Sequence, residues 1–193
     1  MSQNPAHESY AQPQPAKLFL MVGLPGAGKT TRAKQLAAAH GGIRLTPDEW
    51  MIALYDGEQP DGKREMLEGL LITVALRAVR LGTSAVLDFG LWSRNERSAL
   101  RWLAARVEVP CQVIYLPVDP DVQRARIAHR QATAPHTTFP MTEEDIVSYR
   151  KQFEVPDAAE LRGGDVPDPP PGWLGWRDWV ADRWPTLPER YRT

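Results

Sequence analysis

Cysteine is almost missing from this chain: Cys111 is the only one among 193 residues. A single thiol closes no intrachain disulfide and leaves no multi-thiolate zinc site. Because Cys111 opens an apolar, strand-like run, it reads as a buried, inert thiol rather than a nucleophile. The histidines, His7, His40, His129 and His136, have no metal-ligand spacing. No apolar run is long enough for a membrane-spanning helix. Residues 1–16 lack the basic start and apolar core of a signal peptide. They are polar and dotted with proline, which predicts a disordered leader on a cytoplasmic protein. An excess of either charge is also lacking. Lys and Arg total 23 against 24 Asp and Glu, for a net charge of -1, so no global field draws the chain to nucleic acid or anionic membrane. There is no internal repeat and no GxSxG nucleophile elbow.

What remains is an ordinary globular composition, 42% hydrophobic and 24% charged, sufficient for one domain with short appendages. Within it, Gly23-Leu24-Pro25-Gly26-Ala27-Gly28-Lys29-Thr30 matches the phosphate-loop pattern GxxxxGK[ST]. The match follows the apolar run Leu18-Phe19-Leu20-Met21-Val22 and precedes a helical segment, which is the setting the mechanism requires. Gly23, Gly26 and Gly28 permit the backbone to turn successive N–H groups inward as an anion nest. The helix dipole points into the same space. Pro25, Ala27 and Thr31 complete the expected nucleotide-binding stretch. Lys29 is expected at the β- and γ-phosphates of a nucleoside triphosphate, and the Thr30 hydroxyl at Mg²⁺.

Strands are expected at residues 17–22, 43–45, 84–87 and 112–116, with helices at 30–40, 47–55, 63–81, 94–106 and 120–130. Short apolar strands alternating with helices predict an α/β fold, a three-layer sandwich around a mostly parallel sheet. Thr46…Glu49 and Ser93…Glu96 have capping-box spacing. Another helix is expected from Thr142 to about residue 153. The phosphate-loop domain is placed at 17–160, a Gly/Pro linker at 161–172, and a tryptophan-rich helix at 173–193 packing on the domain. Trp173, Trp176 and Trp179 recur at helical spacing.

Candidate chemistry falls where strands end, since open α/β sheets bind ligands there. Asp48 lies just past the second strand, where a carboxylate could accept a proton from an acceptor hydroxyl or merely stabilise its helix. Asp88 is expected to end the third strand, where it could support Mg²⁺ or touch the acceptor. Arg124, Arg126 and Arg130 follow the fourth strand, and the last two share a helix face suited to neutralising transferring charge. Arg94 and Arg97 could hold an anionic acceptor, with a solvated surface as the alternative.

On residues 23–31, Thr46-Pro47-Asp48-Glu49-Trp50, Val86-Leu87-Asp88-Phe89-Gly90 and the Arg126…Arg130 pair, the chain resembles a group of small P-loop kinases. The group is labelled AAA family ATPase and includes phage polynucleotide kinase, chloramphenicol phosphotransferase and the zeta toxins. The resemblance implies that Asp48 is the general base, that Arg126 and Arg130 are lid arginines on ATP phosphates, and that the cofactors are ATP and Mg²⁺. It also implies a final strand that the sequence after residue 156 does not show. The absence of an N/T-K-x-D motif favours ATP over GTP. The leading expectation is an ATP-dependent kinase of a small hydroxyl-bearing molecule. The alternatives are a 5′-hydroxyl polynucleotide kinase and a nucleotide-dependent interaction module with little turnover.

Overall fold

The computed structural model describes residues 15–192, so most of the expected leader lies outside the described residues. Four parallel strands form the sheet: β1 (Leu18–Val22), β2 (Ile43–Leu45), β3 (Ala85–Gly90) and β4 (Cys111–Tyr115), in the order β2-β3-β1-β4. Parallel neighbours need crossovers, and α1 (Lys29–Ala39), α2 (Pro47–Tyr55), α3 (Lys63–Arg80) and α4 (Arg94–Arg106) supply them. All five residues of β1 are buried, as both faces of a sandwiched parallel strand must be. Phe19 and Met21 pack with Ala33 and Leu36 of α1 and with Val86. Leu18, Leu20 and Val22 face the larger core, where Ile72 and Leu76 of α3 meet Leu100 and Leu103 of α4.

The third strand runs further than expected. Asp88 lies inside it rather than at its end, because pairing with β1 resumes at Val22↔Gly90 after a register shift. Leu20↔Leu87 and Val22↔Gly90 enclose one extra residue on β3, a bulge beside Asp88. The two expected capping boxes also part ways. Glu96 N donates to Ser93 Oγ at 3.1 Å and Ser93 N donates back to Glu96 Oε2 at 3.3 Å. Thr46 makes no side-chain cap, and Glu49 instead accepts from Arg44 Nη1 at 2.8 Å. A charge-assisted bond to guanidinium outcompetes a neutral backbone amide for that carboxylate.

After β4 come α5 (Pro120–Thr133), α6 (Glu143–Gln152), α7 (Ala158–Leu161) and α8 (Trp176–Arg183). Asp119 caps α5 by accepting from Asp121 N and Val122 N. The C-terminal helix starts at Trp176 and leaves Trp173 outside, because Gly175 before it is extended at φ -177. Trp179 stands edge-on to both Trp176 and Trp184, each at 5.6 Å between ring centroids. Trp176 and Trp184 are buried in the larger core. Among the described residues no helix is long and apolar enough to cross a membrane.

Candidate active site

A cleft of about 1000 Å³ opens where the loop after β1 meets α1, the C-terminal part of β3 and the start of α2. Pro25, Gly26, Gly28, Lys29, Thr30 and Thr31 form one wall. Gly23 and Ala27 are buried behind it and shape the loop: Gly23 N donates to Gly90 O at 3.2 Å and Ala27 N to Leu24 O at 3.2 Å. Gly28 is the N-cap of α1 at φ 91, in the left-handed region where a side chain is strained. A Cβ on Gly26 would stand 3.1 Å from Gln123 O, so the loop sits tightly against α5. No side chain caps α1 and its first turn holds no acid, so its positive end faces the cleft uncompensated.

Lys29 Nζ donates to Leu24 O at 2.9 Å. Burial lowers its ammonium to about 8; Asp88 and Asp48 act against that shift, while Arg130 and Arg64 add to it. The lysine therefore sits electrostatically between the two carboxylates named from the sequence. An anionic ligand on the loop would favour the charged form and raise that value again.

Each carboxylate carries an arginine of its own. Arg44 on β2 bonds Asp88 Oδ2 through Nε at 2.9 Å and also reaches Glu49. Arg64 on α3 bonds Asp48 Oδ1 through Nη1 at 2.9 Å and Glu68 Oε1 through Nε at 3.1 Å. The Asp88 side chain is 3% exposed, that of Asp48 55%. Asp48 is thus open to an incoming molecule, and Asp88 forms part of the floor. Burial pushes the Glu68 carboxyl up, although Arg64 and Arg183 oppose the shift.

From α5, Arg126 Nη1 donates to Gly26 O at 3.1 Å, and Arg130 also lines the cleft. Arg124 points elsewhere, pairing with Glu143 at 2.6 Å and Asp121 at 3.3 Å. Phe89, Leu91 and Trp92 line the far side, with Trp92 packed on Tyr149 at 4.6 Å between centroids.

Arg94 is not brought to the cleft: it pairs with Asp157 at 3.0 Å and is absent from the lining. Arg97 is also no ligand of an acceptor. It is fully buried, bonded by Glu160 of α7 and by the Leu91 and Trp92 carbonyls, so its guanidinium is consumed in holding α7 to α4. Sequence reasoning missed Arg44, Glu68 and Arg183 of α8, all of which line the cleft. Two signals were available. Arg44 interrupts a short apolar strand, and Glu68 falls within the buried apolar stripe of α3 beside Leu67, Leu71 and Ile72. A charge in such a stripe requires a partner.

Among the described residues no group of three or more His, Cys, Asp or Glu could hold a metal ion by itself. The Thr30 hydroxyl and the Asp88 carboxylate are hard oxygen donors in one cleft. That set fits Mg²⁺, which takes few protein ligands and completes its shell with phosphate oxygens and water.

The family model described as AAA domain matches residues 18–156, and the chain belongs to that family. No curated protein matches it. Among solved structures, the Pnkp1/Rnl/Hen1 RNA repair complex aligns with a TM-score of 0.55 at 15% identity, over 71% of this chain and 43% of that one. This chain thus spans less than half the length of that neighbour. Kti12 from Chaetomium thermophilum, in complex with ADP-AlF3, aligns at 0.56 and 19%, over 89% and 99% of the two chains. A gluconokinase from Sinorhizobium meliloti 1021 aligns at 0.53 and 19%, over 90% and 91%. At these identities the likeness establishes a P-loop, kinase-like α/β fold.

Proposed function

With family membership as the premise, we propose that this chain is an ATP-dependent phosphotransferase acting on a hydroxyl of a small molecule. One observation carries the reading. A phosphate loop with a partly buried lysine and an exposed, arginine-held carboxylate open onto one cleft.

In this reading the loop amides and Lys29 bind the β- and γ-phosphates, and Arg126 and Arg130 cover them from α5. Thr30 and Asp88 would hold Mg²⁺, which would neutralise phosphate charge when bound. Asp48 accepts the proton of the acceptor hydroxyl as its oxygen bonds to the γ-phosphorus. The bond from that phosphorus to the bridging oxygen breaks, and ADP leaves. Arg64 keeps the Asp48 carboxylate oriented.

Charge argues for a small acceptor over a nucleic-acid end. Arg44 and Arg64, the arginines beside the two carboxylates, are already paired with acids, so little free positive charge stands beside Asp48 and Asp88 to hold a phosphate backbone.

The test is incubation with ATP and Mg²⁺ against pooled sugars, nucleosides, aminoglycosides and 5′-hydroxyl oligonucleotides, followed by mass spectrometry. A small-molecule product heavier by one phosphoryl group supports the reading. Phosphorylated oligonucleotide alone would move it to a polynucleotide kinase. Tight ATP binding with no product would favour the interaction module.

A further inference from the structure

The family match ends at residue 156, yet the cleft does not. Arg183, the last residue of α8, lines it from the C-terminal segment. Its Nη1 lies 3.0 Å from Glu65 Oε1, and its Nη2 lies 2.7 Å from Glu96 Oε1 and 3.7 Å from Glu68 Oε2. One guanidinium thereby joins α3 to the first turn of α4.

Glu68 is the hub of this arrangement. Its side chain is 6% exposed. One oxygen accepts from Arg64 Nε at 3.1 Å, and the other from Trp184 Nε1 at 3.1 Å. Trp184 is fully buried and cannot follow a moving carboxylate. Glu96 is held in turn by Ser93 N. The groups around Glu68 are Arg64 on its own helix, Arg183 and Trp184 from the C-terminal segment, and Glu96 from α4. Arg64 then presents Nη1 to Asp48, and among the described residues it is the only hydrogen-bond partner of that carboxylate.

We infer that Arg183 is a positioning residue for the transfer proposed above: through Glu68 and Arg64 it fixes where the Asp48 carboxylate meets the acceptor. The inference rests on the phosphotransferase reading for its catalytic consequence, while the relay itself is a matter of geometry. Three links carry it. Arg64 has a long, rotamer-rich side chain, and it holds one geometry only while both of its carboxylate partners stay in place. Glu68 is buried, and burial favours its neutral form, which grips a guanidinium less strongly; Arg183 opposes that drift. Asp48 is exposed and has no second anchor, so loss of Arg64's orientation reaches it directly.

The experiment uses Arg183→Met, Arg183→Lys and Glu68→Gln in the full chain, with thermal unfolding to verify that each folds. Displacing a reacting group by an ångström costs up to about 100-fold in rate. Accordingly, kcat is expected to fall about 10- to 100-fold in Arg183→Met, while the ATP Kd stays within about twofold. Arg183→Lys keeps the charge and is expected to recover part of the loss. A second readout needs no turnover: the arginine Nε–H resonance of Arg64, assigned through Arg64→Lys. It is expected to shift and to exchange faster with solvent in Arg183→Met and in Glu68→Gln.

Unchanged kcat in a folded Arg183→Met protein, or an unmoved Arg64 resonance, overturns the inference. If the wild type phosphorylates nothing, the phosphotransferase reading falls separately and the Arg64 resonance decides the relay alone. Should Arg183→Met not fold, Arg183→Lys and Glu68→Gln carry the same two readouts.

Discussion

Arg44 on β2 and Asp88 on β3 form a largely buried ion pair in which Nε and Nη2 both lie 2.9 Å from the same oxygen, Oδ2. The other oxygen, Oδ1, takes no hydrogen bond from the described residues, so one carboxylate is half committed to the fold and half available to the cleft. Removing the guanidinium leaves a charge that is 3% exposed without its nearest counter-ion. Arg44→Met is expected to cost about 3 kcal/mol in urea denaturation. The double variant with Asp88→Asn should cost less than the sum of the single changes.

Lys29 makes the pH dependence specific. Burial lowers its pKa in the folded protein from 10.5 to about 8. Between those values the unfolded chain binds more protons than the folded one, so stability rises with pH across that window. The cost of the buried ammonium is fully present below pH 8. Lys29→Met is therefore expected to stabilise the nucleotide-free protein below pH 8, with the gain shrinking from pH 8 to 10.5. Thermal melts across this range decide it, and a gain that grew with pH would contradict the assignment.

The same lysine couples binding to protons. Phosphate on the loop favours the charged form, so ATP binding near pH 8 takes up a proton, and affinity falls as pH rises above 8. Calorimetry in two buffers of different ionisation enthalpy reads the uptake directly, and Lys29→Met should abolish it.

Asp48→Asn separates an enzyme from a binding module. The amide keeps the size of the side chain but accepts a proton poorly. Transfer is expected to drop about 10²- to 10⁴-fold, with ATP affinity within about twofold. Full transfer by the Asn variant would exclude Asp48 as the base.

Gly69→Ala probes the docking of the C-terminal segment. At an open helix position the change would stabilise by about 1 kcal/mol. Here a Cβ would lie 2.3 Å from Thr186 Oγ1 and 3.3 Å from Trp184 Cβ. The segment has to shift, so a lower Tm and a red-shifted tryptophan fluorescence are expected.

Much of this architecture was legible along the chain because it is written in local chemistry. The run Leu18–Val22, the glycines at 23, 26 and 28, Lys29 and the N-cap at Ser93 act over a few residues, and their spacing expresses their physics. Asp48 and Asp88 could be named for the same reason, one in the first turn after β2 and the other directly after the apolar run Ala85–Leu87. Arg94 fits the solvated-surface alternative, paired with Asp157, while Arg97 fits neither reading, because spacing on α4 cannot tell a surface guanidinium from one buried against Glu160. The Thr46 box failed for a related reason: Arg44, five residues from Glu49 and on another element, takes the carboxylate.

By itself the sequence determined the strand–loop–helix that cradles an anion and the order of strands and helices, because hydrogen-bonded turns and hydrophobic periods are short-range. The partners of the charges were decided only by tertiary structure. Arg183 lies 118 residues from Glu65 and 87 from Glu96, and Arg44 lies 44 from Asp88. Ion pairs act through space, and the desolvation that gives them weight exists only once the sheet, α3 and the C-terminal segment have closed over them.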